Sequence, residues 1–190
     1  MTPTARLLID DLDAVAHGSL DLLETRLVRV HGNLDATAYG TCVAERAAEA
    51  VIAHSSSSVL VDDGPGVSAA ALEFMRAAAP RRLVVLARRG ITGWHESLAD
   101  LGALVLQGHH AALCDRLSDA VLVVEQHHSD APRARHIAAI PGPILAAASA
   151  GSNALLLRGD VEIVPDLDAW ARRLDYRPMP ARSVHHRSVS

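Results

Sequence analysis

Lysine is absent from the 190-residue sequence, so all 18 basic side chains are arginine. They are outnumbered by 22 carboxylates, for a formal net charge of −4. A protein that grips duplex DNA usually advertises a basic face, and the overall balance here does not. Arginine pairs at 81/82, 88/89, 133/135 and 172/173 still leave room for local basic patches. A lysine-free, alanine-rich chain also reads as the product of a GC-rich genome, which makes each arginine a weaker sign of phosphate binding. Aromatic residues make up only 3% of the chain. The core is therefore built from Ala, Val and Leu, which suits strands covered by helices on both faces. Cys42 and Cys114 lie far apart without C-x-x-C spacing, so neither a disulfide framework nor a cysteine zinc site follows. No apolar run approaches the roughly 18 residues of a membrane span, and Met1-Thr2-Pro3-Thr4 does not open a secretory leader. A cytoplasmic protein with no membrane partner is the expectation.

What is present is an alternation of short apolar runs and helical patterns. Arg26–His31, Val59–Val61, Leu83–Leu86, Ala103–Leu106 and Ala120–Val124 read as strands. Thr41–His54, Ser68–Ala79 and Trp94–Leu101 read as helices between them. Apolar runs of that length separated by helices predict a Rossmann-like, doubly wound α/β fold with a mostly parallel sheet. Residues 1–25 are expected to be a helical lead-in, two short helices with Ser19 capping the second. The Rossmann-like domain is placed at 26–175. Gln126–Arg133 is a polar loop, and 134–140 leave space only for a helical turn or an irregular crossing. Ile144-Leu145 reads as a short strand, Asn153–Leu157 as a helix, Val161–Val164 as a strand, and Asp166–Leu174 as a closing helix. Residues 176–190, with Pro178, Pro180 and three terminal serines, read as a disordered tail.

Two strand-to-helix junctions carry candidate chemistry. The first, Gly32-Asn33-Leu34-Asp35-Ala36-Thr37-Ala38-Tyr39-Gly40, ends a strand and opens a helix. Backbone N–H groups at such a helix start can hold a phosphate, though the stretch is not G-x-G-x-x-G and a plain glycine turn is the simpler reading. The second, Asp62-Asp63-Gly64-Pro65-Gly66-Val67-Ser68, is a tight turn whose two aspartates repel phosphate, and a structural role is favoured. The 11 histidines include adjacent pairs at 109/110, 127/128 and 185/186 but no H-E-x-x-H, so no metal site is expected. No G-x-S-x-G elbow marks a catalytic serine, and no cofactor is implied. Tyr39 is placed to stack on a base, whereas Trp170 has the spacing of a core residue.

Taken in order, these segments resemble the DprA (Smf) DNA-processing proteins. The first junction matches that family's G-S-R-x-x-T-x-Y-G at both glycines, Thr37 and Tyr39. Leu117–Glu125 is similar to its L-S-x-A-V-x-V-V-E, Ala139–Ile144 to its A-V-P-G-P-I, and Ser149–Leu156 to its S-x-G-x-N-x-L-I. The resemblance spans about residues 20–172. It implies a non-enzymatic, dimeric protein that binds single-stranded DNA and works with a RecA-type recombinase. Carried onto this chain, the DNA or phosphate contacts fall on Gly32, Asn33, Thr37, Tyr39, Gly40, Gly64, Gly66, Ser68, Ser129 and Arg133. The departures fall on the same surface. The motif arginine is Leu34, the family's R-N-R falls on His110-Ala111-Ala112, and Asp130 stands where glycine is expected. Each lost arginine removes a phosphate contact and each added carboxylate opposes one. Two further readings follow: a dimeric scaffold that kept the fold without DNA, and a nucleotide-binding sensor or enzyme similar to the phosphoribohydrolases. Pro141-Gly142-Pro143 lacks the second glycine, threonine and glutamate of the latter's P-G-G-x-G-T-x-x-E.

Overall fold

The computed structural model describes residues 4–126, 132–142, 149–159, 161–179 and 181–186. The strands are β1 (Thr4–Ile9), β2 (Leu12–Gly18), β3 (Leu27–Gly32), β4 (Ser58–Asp62) and β5 (Leu83–Ala87), followed by β6 (Leu104–Gly108), β7 (Ala120–Val124), β8 (His136–Ala139), β9 (Glu162–Ile163) and β10 (Val184–His186). They form one sheet in the order β10-β1-β2-β6-β5-β4-β3-β7-β8-β9. From β6 to β9 every pairing is parallel. The chain steps outward from β3 through β4 and β5 to β6, then returns to β7 on the other side of β3. That reversal creates a switch point between β3 and β7, and a crevice opens where their following loops part.

Helices cover both faces, as the sequence predicts. The valines of β3 and β4 (Val28, Val30, Val59, Val61) meet α1 (Ala38–His54), α2 (Val67–Ala78) and α6 (Leu167–Leu174) on one face. The alternate residues Leu60, Val84, Leu86, Leu104 and Leu106 meet α4 (His110–Leu117) on the other, through Leu113, Cys114 and Leu117. Farther along that second face, Leu155 of α5 (Ala150–Arg158) packs on Val121, Val123 and Ala139. α3 (Gly93–Asp100) packs beside β2 and β6. Buried strands this uniformly apolar are what a sheet with two covered faces requires. Trp170 is 1% exposed in the α1–α6 interface, as its helical spacing predicts. Among the described residues, no helix is long and apolar enough to cross a membrane.

The lead-in is not helical. Residues 4–18 form a β-hairpin in register Ile9↔Leu12 to Thr4↔His17, and β2 lies antiparallel to β6. Asp10 and Asp11 both take positive φ, 44° and 69°, the two-residue turn that suits a twisted hairpin. Leu7 and Ile9 alternate inward from β1, and Ala14 and Ala16 from β2. Leu8, Leu12 and Val15 happen also to fall at helical spacing, which disguises the strand period. Among the described residues of the lead-in, only Leu20–Glu24, after Ser19, turns helically, as a 3₁₀ segment.

Within the expected tail, Val184–His186 form a strand. β10 adds to β1 with Ile9 opposite Val184. The Arg182 side chain is 4% exposed and donates to the carbonyls of Leu23, Thr25 and Leu117 and to Asp119. A composition that reads as disordered is held by one deeply inserted guanidinium. His136–Ala139, expected to be a turn or irregular crossing, is a parallel strand beside β7. The α4 helix adds an element that the apolar pattern does not predict. Ile144-Leu145 lies outside the described residues.

Candidate functional site

Glu125 organises the switch point. It follows β7 with a positive φ of 48° and is 1% exposed. Its carboxylate accepts the Thr37 backbone N–H at 2.8 Å and the Thr37 hydroxyl at 2.5 Å. Its carbonyl accepts the Asn33 N–H at 3.2 Å. Thr37 is the N-cap of α1, its hydroxyl accepting from the Gly40 N–H at 3.4 Å. A Cβ on Gly40 would lie 2.1 Å from the Glu125 carboxylate, so the motif's second glycine is a close-approach residue. A carboxylate of the chain itself thus sits at the positive end of α1, where the sequence allows a phosphate. Thr37 and Gly40 serve this internal anion.

Gly32 and Asn33 do line the crevice. With His31, Leu34, Asp35, Asp62, Ser68, Arg88 and Gln126 they enclose a cleft of about 430 Å³. Gly66, at φ 76°, caps α2 where a Cβ would strike the Asn33 carbonyl at 2.0 Å, and that carbonyl accepts the Val67 N–H. The two predicted junctions are therefore locked against each other. Leu34, in the position of the motif arginine, is half exposed at the rim.

The floor of the cleft is an ion cluster. Asp62, 2% exposed, accepts from Arg88 at 2.9 Å and from the Gly64 N–H at 3.0 Å, with Arg29 at 3.7 Å. Its neighbour Asp63 points elsewhere, accepting the Arg88 N–H at 3.0 Å and facing the His95 Nε2 at 3.4 Å. Adjacent strand residues diverge in this way, and the two aspartates do not form one cation site. Burial, then the Arg29 charge, lowers the His31 pKa to about 4, so the ring is neutral at pH 7 and offers one donor and one acceptor. Burial pushes the Cys114 thiol up to about 11, which leaves it protonated and inert. Among the described residues no group of three or more His, Cys, Asp or Glu is placed to hold a metal ion.

The remaining predicted contacts separate. Gly64 faces a second, smaller depression with Asp63, Pro65, Arg88 and Arg89. Ser68, by contrast, is buried in the lining of the switch-point cleft itself. Tyr39 is fastened to the far loop, its hydroxyl donating to the Pro141 carbonyl at 2.8 Å, and burial and then Glu125 raise its pKa. Arg133 is exposed and reaches toward Asp115 of α4 at 4.0 Å, away from the cleft lining. Ser129 lies outside the described residues. Gly-Ser-Asn at 151–153 is structural: Ser152 exchanges hydrogen bonds with the Gln126 backbone, and the Asn153 side chain brackets Gly142. Arg29, Asp62 and Arg88 are the cluster that motif reasoning missed. An arginine inside Leu27-Val28-Arg29-Val30, a run otherwise apolar, is the signal that could have found it.

No family model matches this sequence, and no curated protein matches it. Solved structures do. The chain is similar to DNA processing protein A from Helicobacter pylori, in a structure concerned with that protein's single-stranded DNA binding mode, with a TM-score of 0.68, 18% identity, and coverage of 85% of this chain and 86% of that one. It is similar to DNA processing protein A from Streptococcus pneumoniae with a TM-score of 0.62 and 22% identity, covering 83% of this chain and 65% of that longer one. These two likenesses agree: in fold, the chain is DprA-like.

Proposed function

We infer that the protein is a non-enzymatic, DprA-like DNA-processing factor that binds single-stranded DNA along the carboxyl edge of the sheet. The observation that carries this reading is the cleft between the 32–37 and 62–68 loops at the switch point of a DprA-like fold. Gly32 and Asn33 line it with Arg88, and neutral His31 and Gln126 supply hydrogen-bonding groups suited to a base or a sugar. A homodimer acting with a RecA-type recombinase is the accompanying proposal, from the resemblance of the 117–125 and 139–156 segments. Mobility shift of a dT oligonucleotide at low salt tests the DNA claim. Binding at micromolar protein that weakens steeply with salt is the expected result. No shift at about tens of micromolar protein would refute it, non-specific affinities lying at about 10⁻⁴–10⁻⁶ M.

A second reading, a scaffold that has lost DNA, is favoured by one observation. The cleft's cations are already paired: Arg88 and Arg29 both face Asp62, and Glu125 fills the α1 terminus. A stable dimer by light scattering that ignores oligonucleotides would select this reading.

A further inference from the structure

The opposite, amino-terminal edge of the sheet carries a second polar cleft, of about 250 Å³, lined by Arg26, Asp119, Ala120, Arg135, His136, Arg177 and Pro178. It lies where β3, β7 and β8 begin, so it shares no residue with the switch-point cleft. Its charge is unbalanced. Asp119 is the lining carboxylate, and it is consumed internally by Arg182 and by the Leu27 N–H at 2.8 Å. Glu162, just behind, is shared by Arg173 at 2.6 Å, Arg177 at 2.8 Å and His136 at 2.7 Å. Among the described residues, five arginines thus meet two carboxylates in a chain whose net charge is −4.

The donors divide by availability. Arg26 is spent on the carbonyls of Leu174 and Arg177 at the end of α6. Arg177 gives one nitrogen to Glu162 and makes no other side-chain hydrogen bond among the described residues. Arg135 is exposed and makes neither an ion pair nor a hydrogen bond among them, although it lines the cleft. Burial and then Arg177 pull the His136 ring below the ordinary histidine range, with Arg173 acting the same way and Glu162 opposing. The surroundings therefore already resist a further positive charge.

We propose that this amino-edge cleft binds a phosphate group, with Arg135 and Arg177 as its guanidinium donors. Guanidinium forks match phosphate oxygens in pairs, and a site with unspent forks and its carboxylates already engaged has the chemistry for that anion. The phosphate could belong to a small phosphorylated molecule or to a nucleic-acid backbone, both of which present the same oxygens.

NMR of the arginine side-chain N–H groups and of the His136 ring decides the matter. Sodium phosphate is titrated against sodium chloride at matched ionic strength. Phosphate should shift Arg135, Arg177 and His136 where chloride does not. Arg135→Ala, which removes an exposed side chain with no ion pair or hydrogen bond among the described residues, should weaken that response about five- to tenfold. Arg88→Ala at the other edge should leave it unchanged, which separates this proposal from the DNA reading of the switch-point cleft. A dT oligonucleotide of about ten nucleotides identifies the source. Shifts at the same three residues assign the site to a nucleic-acid backbone, and a response to inorganic phosphate alone assigns it to a small ligand. Equal responses to phosphate and chloride, or a titration that Arg135→Ala does not alter, would overturn the proposal.

Discussion

The two ends of the parallel sheet are built from the same residue types and differ in how their charges are settled. At the carboxyl edge, Arg29 and Arg88 converge on buried Asp62, while the α1 terminus is filled by Glu125. At the amino edge, arginines outnumber the carboxylates that hold them among the described residues, and Arg135 pairs with none of these. By count, five arginines at the amino edge stand against Arg29 and Arg88 at the carboxyl edge. Counting which donors are already spent reverses the ranking expected from the fold, because an engaged guanidinium attracts a phosphate far less than an open one.

The largest expected effect probes how far the amino edge is structural. Arg182→Ala strands the Asp119 carboxylate and three carbonyls. Loss of one partner from such a buried pair should cost about 3–5 kcal/mol, seen as a lower urea midpoint. A loss under about 1 kcal/mol would place the tail on the surface after all.

At the carboxyl edge, Gly40→Ala drives a methyl into the Glu125 carboxylate, which a Cβ would approach to 2.1 Å. Overpacking of this kind costs about 1–3 kcal/mol. If stability were unchanged, Glu125 would be free to leave the α1 terminus, and a phosphate could take its place.

Acid should act on the carboxyl edge through His31. Its pKa is about 4 in the folded chain against 6.5 for the free side chain, so the unfolded chain binds the proton first. The His31 contribution is fully present above about pH 6.5 and is lost as pH falls from there toward 4. It is worth about 1–3 kcal/mol at the lower limit. His31→Asn should flatten that limb of a stability–pH curve, and an unchanged slope would mean that the ring is solvated.

The smallest effect is on binding. Asp62→Asn removes the charge that faces Arg29 and Arg88. It should strengthen dT oligonucleotide binding about fivefold, with a steeper salt dependence, measured by anisotropy. Weaker binding instead would show that Asp62 holds Arg88 in the orientation that DNA needs.

Much of the fold was legible. Uniformly apolar runs in β5 and β7 announce a parallel sheet, because only a strand covered on both faces can be apolar at every position. Thr37, Gly40, Glu125 and the 149–156 stretch were recognisable as a motif, but their work in this chain is internal. Glu125 caps α1, and Ser152 and Asn153 tie down the Gln126 backbone and Gly142. The hairpin is disguised because Leu8, Leu12 and Val15 fall at helical spacing among the inward strand residues Leu7, Ile9, Ala14 and Ala16. The tail was misread because nothing local marks Arg182 as the residue that threads between β3 and α4.

By itself the sequence determined the α/β class, the switch-point loops and the absence of lysine that makes every cation a rigid guanidinium fork. Those properties are local, set by apolar period, turn residues and composition. Tertiary structure alone decided which guanidiniums remain open. Arg29 and Asp62 are 33 positions apart and Arg182 and Asp119 are 63 apart, and only folding brings each pair into contact. Charge neutralisation depends on distance in space, and sequence spacing does not encode that distance for residues on different strands.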